Sequence, residues 1–385
     1  MIYLDHAATT PVHEDVLHKM YEIEKEVFGN PSSIHAFGRE AKRHLDEARR
    51  YIASSVGARE HELIFTSGGT EANNLAIVGT ALANEHRGNH IITSAQEHHA
   101  VLNTMRYLQK LGFHITYVPV DANGKIRVDD IARSITEQTI LVSIMAANNE
   151  TGVKQPIEEI GQLLSEQQVI FHTDAVQAFS SVKIDVNKQQ IDLLTASAHK
   201  INGPKGVGFL YVREDVGIEP LQFGGLQERE RRPGTENVVG AVGFHYAVKR
   251  MIEEMEQTVA YYTNLKETFL STLRDERVQF SINGNIEETI PTIVNLSFPD
   301  VKTDIMLANL DIEGIAASSG SACSAGTLEP SHVLQAMYKS SDERIWNSIR
   351  FSFGYKNDEQ QMIRAAKTIA AIVERLNRKG GMRNE

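Results

Sequence analysis

The chain has 385 residues, of which 41% are hydrophobic and 23% charged, and its formal net charge is −11 at pH 7. Such a chain is long enough for two domains, and its acidic balance argues against nucleic acid or an anionic membrane as the main partner. The single cysteine, Cys323, excludes an intrachain disulfide and favours a reducing cytoplasm. Because neither a signal peptide nor an apolar run of about 20 residues is visible, we expect a soluble cytoplasmic protein.

Strands and helices alternate over the first half of the chain. A short strand is predicted in the opening segment, and further strands are predicted over 62–66, 90–93, 114–120, 139–145 and 169–173. The segment 191–208 also begins with an apolar, strand-like run, which ends before Lys200. Helices are predicted over 13–27, 37–56, about 70–82, 128–135 and 156–167. One further helix is predicted to follow the segment 95–99 and to end at residue 111. This alternation predicts an α/β fold with a mainly parallel, doubly wound sheet.

The pattern changes from about residue 250. A long helix is predicted there over 244–273 and a strand over 292–298. They are followed by a segment of Gly, Ala, Ser and Cys over 316–326 and by a final helix over 359–376. We therefore predict a large cofactor-binding domain over 15–250. A smaller α+β domain is predicted to combine residues 1–14 with residues 251–385, which contain Cys323.

Polar residues follow several of the predicted strands, namely Thr70, His98, Asn149, Asp174 and Lys200. In a doubly wound sheet the ligand lies beyond the carboxyl ends of the strands, so these residues are expected to share one site. The turn 67–71 between a strand and a helix offers backbone N–H groups and a helix dipole to a phosphate, and Thr70 adds a hydroxyl. The alternative is an ordinary helix cap formed by Ser67 or Thr70.

Lys200 and Asp174 together indicate pyridoxal 5'-phosphate. A partly buried lysine has a lowered pKa and can form a Schiff base with a carbonyl cofactor, although most lysines are surface residues. Asp174 could keep a pyridine nitrogen protonated, as this cofactor requires, although alone it could equally be a helix cap. Gln177 could bond the phenolic oxygen of the same ring. His98 could stack on that ring, with His99 as its competitor for the role.

Eleven segments of the chain resemble, in the same order, motifs of the cysteine desulfurases of the NifS/IscS type, which are pyridoxal-phosphate enzymes of aminotransferase class V. The segments are YLDHAATTP (3–11), GNPSSIHAFGREAK (29–42), FTSGGTEANNLAI (65–77), QEHHAVL (96–102), NNETG (148–152), FHTDAVQ (171–177), SAHKINGPKGVG (197–208), RPGTEN (232–237), SSGSACSAG (318–326), EPSHVL (329–334) and IRFSFG (349–354). This resemblance implies the type I fold of pyridoxal-phosphate-dependent transferases.

The resemblance also implies roles for individual residues. Lys200 would hold the cofactor and later move the substrate Cα proton, with His98 stacking on the ring and assisting that transfer. The implied cofactor-binding residues are Gly69, Thr70, His98, Asp174, Gln177, Ser197, His199, Lys200 and Thr235. Thr235 would reach the phosphate of a neighbouring subunit, which implies a homodimer. Asn149 and Arg350 would bind the substrate carboxylate, and Asn30 would border that pocket.

Cys323 becomes the nucleophile under this resemblance, on a loop that Gly320, Ala325 and Gly326 allow to swing. Its alternative is a small buried residue. The implied reaction removes sulfur from L-cysteine, giving L-alanine and a persulfide on Cys323. The sulfur would then pass to an acceptor protein, either an iron–sulfur scaffold or an enzyme that thiolates tRNA or cofactors.

Three other functions stay open at this point. A selenocysteine lyase or another enzyme of the class V aminotransferase type could share these motifs. A non-catalytic sulfur-relay scaffold could also keep the fold, although the presence of Lys200, Asp174 and Cys323 together argues against it. Neither a metal site nor direct binding of nucleic acid is expected.

Overall fold

The computed structural model describes residues 1–319 and 330–381. In this part of the chain the strands are β1 (Ile2–Tyr3), β2 (Leu63–Thr66), β3 (His90–Ser94), β4 (His114–Val118), β5 (Thr139–Ser143), β6 (Ile170–Asp174), β7 (Leu193–Ser197), β8 (Gly208–Val212), β9 (Ser281–Ile282), β10 (Ile293–Ser297), β11 (Ile315–Ala316) and β12 (Ser348–Ser352). The α-helices are α1 (Glu14–Glu26), α2 (Ala36–Ser55), α3 (Gly69–Asn74), α4 (Thr80–Ala83), α5 (His99–Lys110), α6 (Val128–Ser134), α7 (Ile157–Gln167), α8 (Val238–Asp275), α9 (Thr303–Ile312), α10 (His332–Met337) and α11 (Glu359–Gly381).

The main sheet has seven strands in the order β2-β8-β7-β6-β5-β3-β4 among the described residues. Strand β8 runs antiparallel to both of its neighbours, and the strands from β7 to β4 are parallel to one another. Side chains of β7 alternate between two cores, with Leu194 and Ala196 in one and Leu193 in the other. One core includes residues of α2, α7 and α8, and the other includes residues of α3 and α5. The predicted doubly wound α/β sheet is therefore confirmed.

A second, smaller sheet has the order β12-β10-β9 and is antiparallel. Its core joins β10 and β12 to α11 and to the C-terminal half of α8, where Leu265 and Phe269 are fully buried. Strand β1 pairs in parallel with β11, with Ile2 opposite Ile315, so the N-terminus joins the C-terminal part of the chain. The domain limits remain a prediction.

Helix α8 begins six residues before the predicted start of this helix, at Val238. Asn237 caps it, because its side-chain oxygen accepts a hydrogen bond of 2.9 Å from the backbone N–H of Gly240. The first half of the helix packs on the main sheet through Phe244, and its second half packs on the small sheet through Phe269. A single helix therefore contributes to both cores. Within the described ranges, the helices are all too short or too polar to traverse a lipid bilayer.

The topology brings several chain segments to one edge of the main sheet. Strands β6 and β7 end at Asp174 and Ser197, which are buried, and Lys200 follows in a short 3-10 turn. Strand β12 places Arg350 beside Ser318 of the segment that follows β11. The small sheet thus contributes a cation to the edge where the parallel strands end.

Candidate active site

A cavity of about 380 Å³ lies at the carboxyl ends of the parallel strands. The residues singled out in the sequence that line it are Gly69, Thr70, His98, Asn149, Asp174, Gln177, Ser197, His199, Lys200 and Arg350. These side chains come from both sheets and from segments up to about 280 positions apart in the chain. The structure therefore brings together most of the residues that the strand-end pattern and the motifs identified.

Lys200 is half-buried in this cavity, and its amine donates hydrogen bonds to the backbone carbonyls of Ala7 and Ala8, the latter at 3.0 Å. Burial lowers the pKa of Lys200 to about 8, and the positive charge of Arg350 adds to this effect. The negative charges of Asp174 and Asp5 act in the opposite direction. A much larger fraction of this amine is therefore neutral near pH 7 than for an ordinary lysine.

Asp174 is the last residue of β6 and is 6% exposed. One carboxylate oxygen accepts the backbone N–H of Val176 at 2.9 Å, and the other accepts the side-chain amide of Asn73 at 2.7 Å. Two donors thus fix the orientation of the carboxylate while its remaining lone pairs stay available to the cavity that it lines. Asn73 was not singled out in the sequence.

The N-terminal segment forms part of this site, which the sequence pattern did not indicate. The carbonyl of Ala7 accepts hydrogen bonds from Lys200 and from the side-chain amide of Gln177, the latter at 2.8 Å. The N–H of Ala7 donates to the hydroxyl of Ser352 at 2.8 Å, which ties the segment to the small sheet. Backbone carbonyls have no sequence signature, although the motif YLDHAATTP contains both Ala7 and Ala8.

The turn between β2 and α3 leaves the start of that helix without a side-chain cap among the described residues. Gly68 has φ of 151°, a backbone conformation that L side chains rarely adopt. Neither Ser67 nor Thr70 caps the helix, so the alternative of an ordinary cap is not observed. Free N–H groups at a helix N-terminus suit an anionic group such as a phosphate.

His199 also lines the cavity, and its ring nitrogen Nδ1 is 3.1 Å from the hydroxyl of Thr9. Burial lowers the pKa of His199 to about 4, with the charges of Lys200 and Lys205 contributing. The imidazole is therefore neutral near pH 7, and it interacts with a phosphate as a hydrogen-bonding group without a formal charge.

The two adjacent histidines occupy different surroundings. His98 lines the cavity, and its Nδ1 accepts the backbone N–H of Ala100 at 3.1 Å, which places the proton of the neutral ring on Nε2. Burial is the main cause that lowers the pKa of His98, and the charge of Asp174 opposes it. The ring of His99 lies 4.6 Å from the ring of His332. Of the two, His98 is the ring beside the cavity.

Arg350 and Asn149 provide a donor and an acceptor that lack partners among the described residues. Arg350 is 5% exposed, and its guanidinium donates to the backbone carbonyl of Asn149 and to the carboxylate of Asp5, each at 2.9 Å. Its Nε and the side-chain oxygen of Asn149 are buried without a hydrogen-bond partner within the described ranges. Such groups cost free energy unless a ligand pairs with them, so the site suits an amino acid with its carboxylate and amine.

Two residues that the resemblance assigns to the site do not line this cavity. Asn30 is exposed, and its side-chain oxygen accepts the N–H of Ser32 at 2.9 Å within a local turn. Thr235 is exposed in the loop before α8 and does not line the cavity of its own chain. Cys323 lies outside the described residues, as do Gly320, Ala325 and Gly326. Ser318, five positions before Cys323, lines the cavity.

Comparison with known proteins adds an independent line of evidence. The chain matches the family "Aminotransferase class-V" over residues 2–364. It is 54% identical to "Putative cysteine desulfurase IscS 1" of Bacillus subtilis over 97% of this chain and 99% of that protein. It is 45% identical to "Cysteine desulfurase IscS" of Dictyoglomus turgidum over 97% of this chain and 95% of that protein. A solved structure titled "SspA in complex with cysteine" matches with a TM-score of 0.82 and 36% identity over 92% of this chain and 99% of the other.

Proposed function

This chain belongs to the class-V aminotransferase family, and from that premise we infer that it is a pyridoxal-phosphate-dependent cysteine desulfurase. It removes sulfur from L-cysteine and releases L-alanine. The observation that carries this inference is the near full-length similarity to cysteine desulfurases, together with a cavity where a lysine of lowered pKa, a buried carboxylate and a buried arginine meet.

The residues that line the cavity fit pyridoxal 5'-phosphate. We propose that Lys200 binds the cofactor aldehyde, that Asp174 pairs with the ring nitrogen, and that Gln177 pairs with the phenolic oxygen. The uncapped start of α3 supports a phosphate at the other end, where the proposed contacts are Gly69, Thr70, Ser197 and His199. The bound cofactor supplies a protonated ring that withdraws electrons from the substrate Cα.

The side chains around the cavity suggest how the substrate is held and how its proton moves. Arg350 and Asn149 are proposed to bind the substrate carboxylate. Arg350 would donate from Nε, which lacks a partner among the described residues, and Asn149 would donate from its side-chain N–H. Lys200 Nζ is proposed to take up the proton removed from Cα, for which an amine with a pKa near 8 is suited at physiological pH. His98 is proposed to stack on the ring and to assist this transfer through Nε2.

Sulfur transfer is assigned to Cys323. Its thiolate is proposed to attack the sulfur of the bound L-cysteine, so that a sulfur–sulfur bond forms and the Cβ–S bond breaks. The electron pair of the broken bond remains with the substrate, whose Cβ takes up a proton to give L-alanine. The position of Ser318 in the cavity lining, five residues before Cys323, supports this role.

We further propose a homodimer with a phosphate contact from Thr235 of the neighbouring subunit. Support comes from Thr235 itself, which is exposed and outside its own cavity, and from exposed apolar side chains on the surface. These include Phe28 and Phe37, whose rings lie 5.0 Å apart, and Phe223. Asn30 lies close to Phe28 in sequence, so its predicted place beside a pocket is proposed to depend on the same interface.

The acceptor of the persulfide sulfur is proposed to be an iron–sulfur scaffold protein or an enzyme that thiolates tRNA or cofactors. Full-length relatives named as cysteine desulfurases support the release of sulfur that such an acceptor would take up. The proposed location is the cytoplasm, because a chain whose one cysteine is a reactive thiol suits a reducing compartment.

The central test is release of alanine from L-cysteine by the purified enzyme and by Cys323→Ala. The wild type is expected to release alanine and to gain the mass of one sulfur atom on the Cys323 peptide. The variant is expected to keep the visible absorbance of the bound cofactor and to lose alanine release. If the variant released alanine at the wild-type rate, Cys323 would not be the nucleophile, and activity of the variant confined to L-selenocysteine would indicate a lyase.

The dimer is tested by mixing two inactive variants, Lys200→Ala and Thr235→Ala. In a mixed dimer one site combines an intact Lys200 with an intact Thr235 from the other subunit, so partial activity should return. A mixture that stays inactive although subunits exchange would contradict a shared site. The control is a mixture of Lys200→Ala with Asp174→Ala, because both residues belong to the same site and cannot complement each other.

A further inference from the structure

Asn73 lies in α3 and is fully buried beside the cavity. Its side-chain nitrogen donates a hydrogen bond of 2.7 Å to Asp174. A carboxylate can only accept hydrogen bonds, so this contact fixes which end of the amide faces Asp174. The other oxygen of Asp174 is held by the N–H of Val176, so both carboxylate oxygens have a fixed donor.

Packing alone does not account for an amide in this place. The side-chain oxygen of Asn73 is buried without a partner in the part of the chain that the structure describes. An apolar side chain of similar size would avoid that cost. The hydrogen bond from its nitrogen to Asp174 therefore explains why an asparagine occupies this position.

We propose that Asn73 is a positioning residue that holds the carboxylate of Asp174 in the orientation needed to pair with the ring nitrogen of pyridoxal 5'-phosphate. The inference rests on the proposed function, in which Asp174 is the partner of that nitrogen. A carboxylate free to rotate about its last bond loses orientation and the ion pair weakens, whereas one held by two donors is preorganised before the cofactor arrives.

A second buried carboxyl group near Asp174 supports this arrangement. Glu97 is fully buried, and one of its oxygens accepts the hydroxyl of Ser94 at 2.7 Å and the N–H of Met145 at 3.0 Å. Burial raises the pKa of Glu97 to about 8, and the charge of Asp174 contributes in the same direction. Glu97 is thus mainly neutral near pH 7 and does not place a second negative charge beside Asp174.

The test is Asn73→Leu, which keeps the approximate volume of the side chain and removes the donor. We expect the dissociation constant for pyridoxal 5'-phosphate to rise about tenfold, which corresponds to about 1.4 kcal/mol. The pH midpoint of the visible absorbance of the holoenzyme should move upwards, because a ring nitrogen that is less protonated makes the linkage to Lys200 more basic. Both readouts are independent of desulfurase activity.

Asn84→Ala is the matched control. Asn84 is also a buried asparagine whose side-chain nitrogen donates a hydrogen bond, here to the carbonyl of Thr80 at 2.9 Å, and it does not line the cavity. Its removal should lower thermal stability without changing the cofactor dissociation constant or the absorbance midpoint. If Asn73→Leu does not fold, Asn73→Ala takes its place with the same readouts.

A double-mutant cycle decides whether Asn73 acts through Asp174. In the Asp174→Asn background, Asn73→Leu should change the dissociation constant by less than about twofold. An equal loss of cofactor affinity in both backgrounds would overturn the proposal, and so would wild-type values of both readouts for Asn73→Leu. Failure of the proposed function can be distinguished from failure of this proposal. A wild type that bound the cofactor without releasing alanine would contradict the proposed function, but the effect of Asn73→Leu on cofactor binding could still be measured.

Discussion

The rate at which the cofactor-free enzyme takes up pyridoxal 5'-phosphate should follow the deprotonation of Lys200. Only the neutral amine attacks an aldehyde, and burial places the pKa of Lys200 at about 8 instead of the ordinary 10.5. At pH 7 about 9% of such an amine is neutral, compared with about 0.03% of an ordinary lysine, which is a difference of about 300-fold. The rate should rise about tenfold per pH unit below the midpoint and level off above it.

The assay is stopped-flow absorbance after mixing the cofactor with the cofactor-free protein, from about pH 6.5 to 9.5 at constant ionic strength. Arg350→Gln supplies the informative variant, because the positive charge of Arg350 is the second cause of the lowered pKa of Lys200. Removing that charge should move the midpoint to higher pH and slow the uptake at pH 7. The matched control is Arg364→Gln, which removes an exposed arginine on α11 and should leave the midpoint unchanged.

Two results would refute this reasoning. A midpoint near 10.5 would mean that burial does not lower the pKa of the amine. A midpoint near pH 8 that did not move in Arg350→Gln would mean that the charge of Arg350 is screened from Lys200.

Three further predictions concern stability and substrate binding. Burial raises the pKa of Glu97 to about 8, so the folded protein holds a proton that the unfolded chain releases above about pH 4.5. The free energy of unfolding therefore falls as the pH rises from about 4.5 through about 8. The unfolding free energy of Glu97→Gln should therefore improve relative to wild type between pH 5 and pH 9 in thermal melts, and a difference independent of pH would contradict this. A Cβ on Gly354 would lie 2.3 Å from the buried ring of His6, so Gly354→Ala should cost about 1–3 kcal/mol, and His6→Ala in the same chain should restore part of the melting temperature. Arg350→Lys should raise KM for L-cysteine by about 10- to 100-fold with a smaller effect on kcat, because a lysine cannot make the several hydrogen bonds of the guanidinium, which include the one to Asp5. The control is Arg364→Lys. A KM for Arg350→Lys equal to that of the wild type would argue against carboxylate binding by Arg350.

Most of the main sheet could be predicted because each strand and helix has a local signal. Apolar residues at a spacing of two or of three to four identify elements without knowledge of their neighbours. Strand β8 was not predicted, and it is the strand that runs antiparallel between β2 and β7. Its place depends on pairing with segments that are distant in sequence, which no local pattern records.

The same distinction between local signals and long-range contacts applies to the candidate site. Asp174 and Lys200 could be singled out because they follow strands whose ends meet at one edge of the sheet. Asn73 and the carbonyl of Ala7 could not, since an asparagine inside a helix and a backbone oxygen carry no signal of their own. The partners of Ala7 are 170 and 193 positions away in the chain.

The sequence by itself determined the class of fold, the order of the elements and the chemical types of the residues at the strand ends, because these follow from local periodicity and from motifs. Only the tertiary structure decided the electrostatic character of the site. It buried Lys200 beside Arg350, turned His98 towards the cavity and His99 towards His332, and set Asn73 against Asp174. These properties depend on desolvation and on distances between atoms of remote segments, and such quantities exist only once the chain has folded.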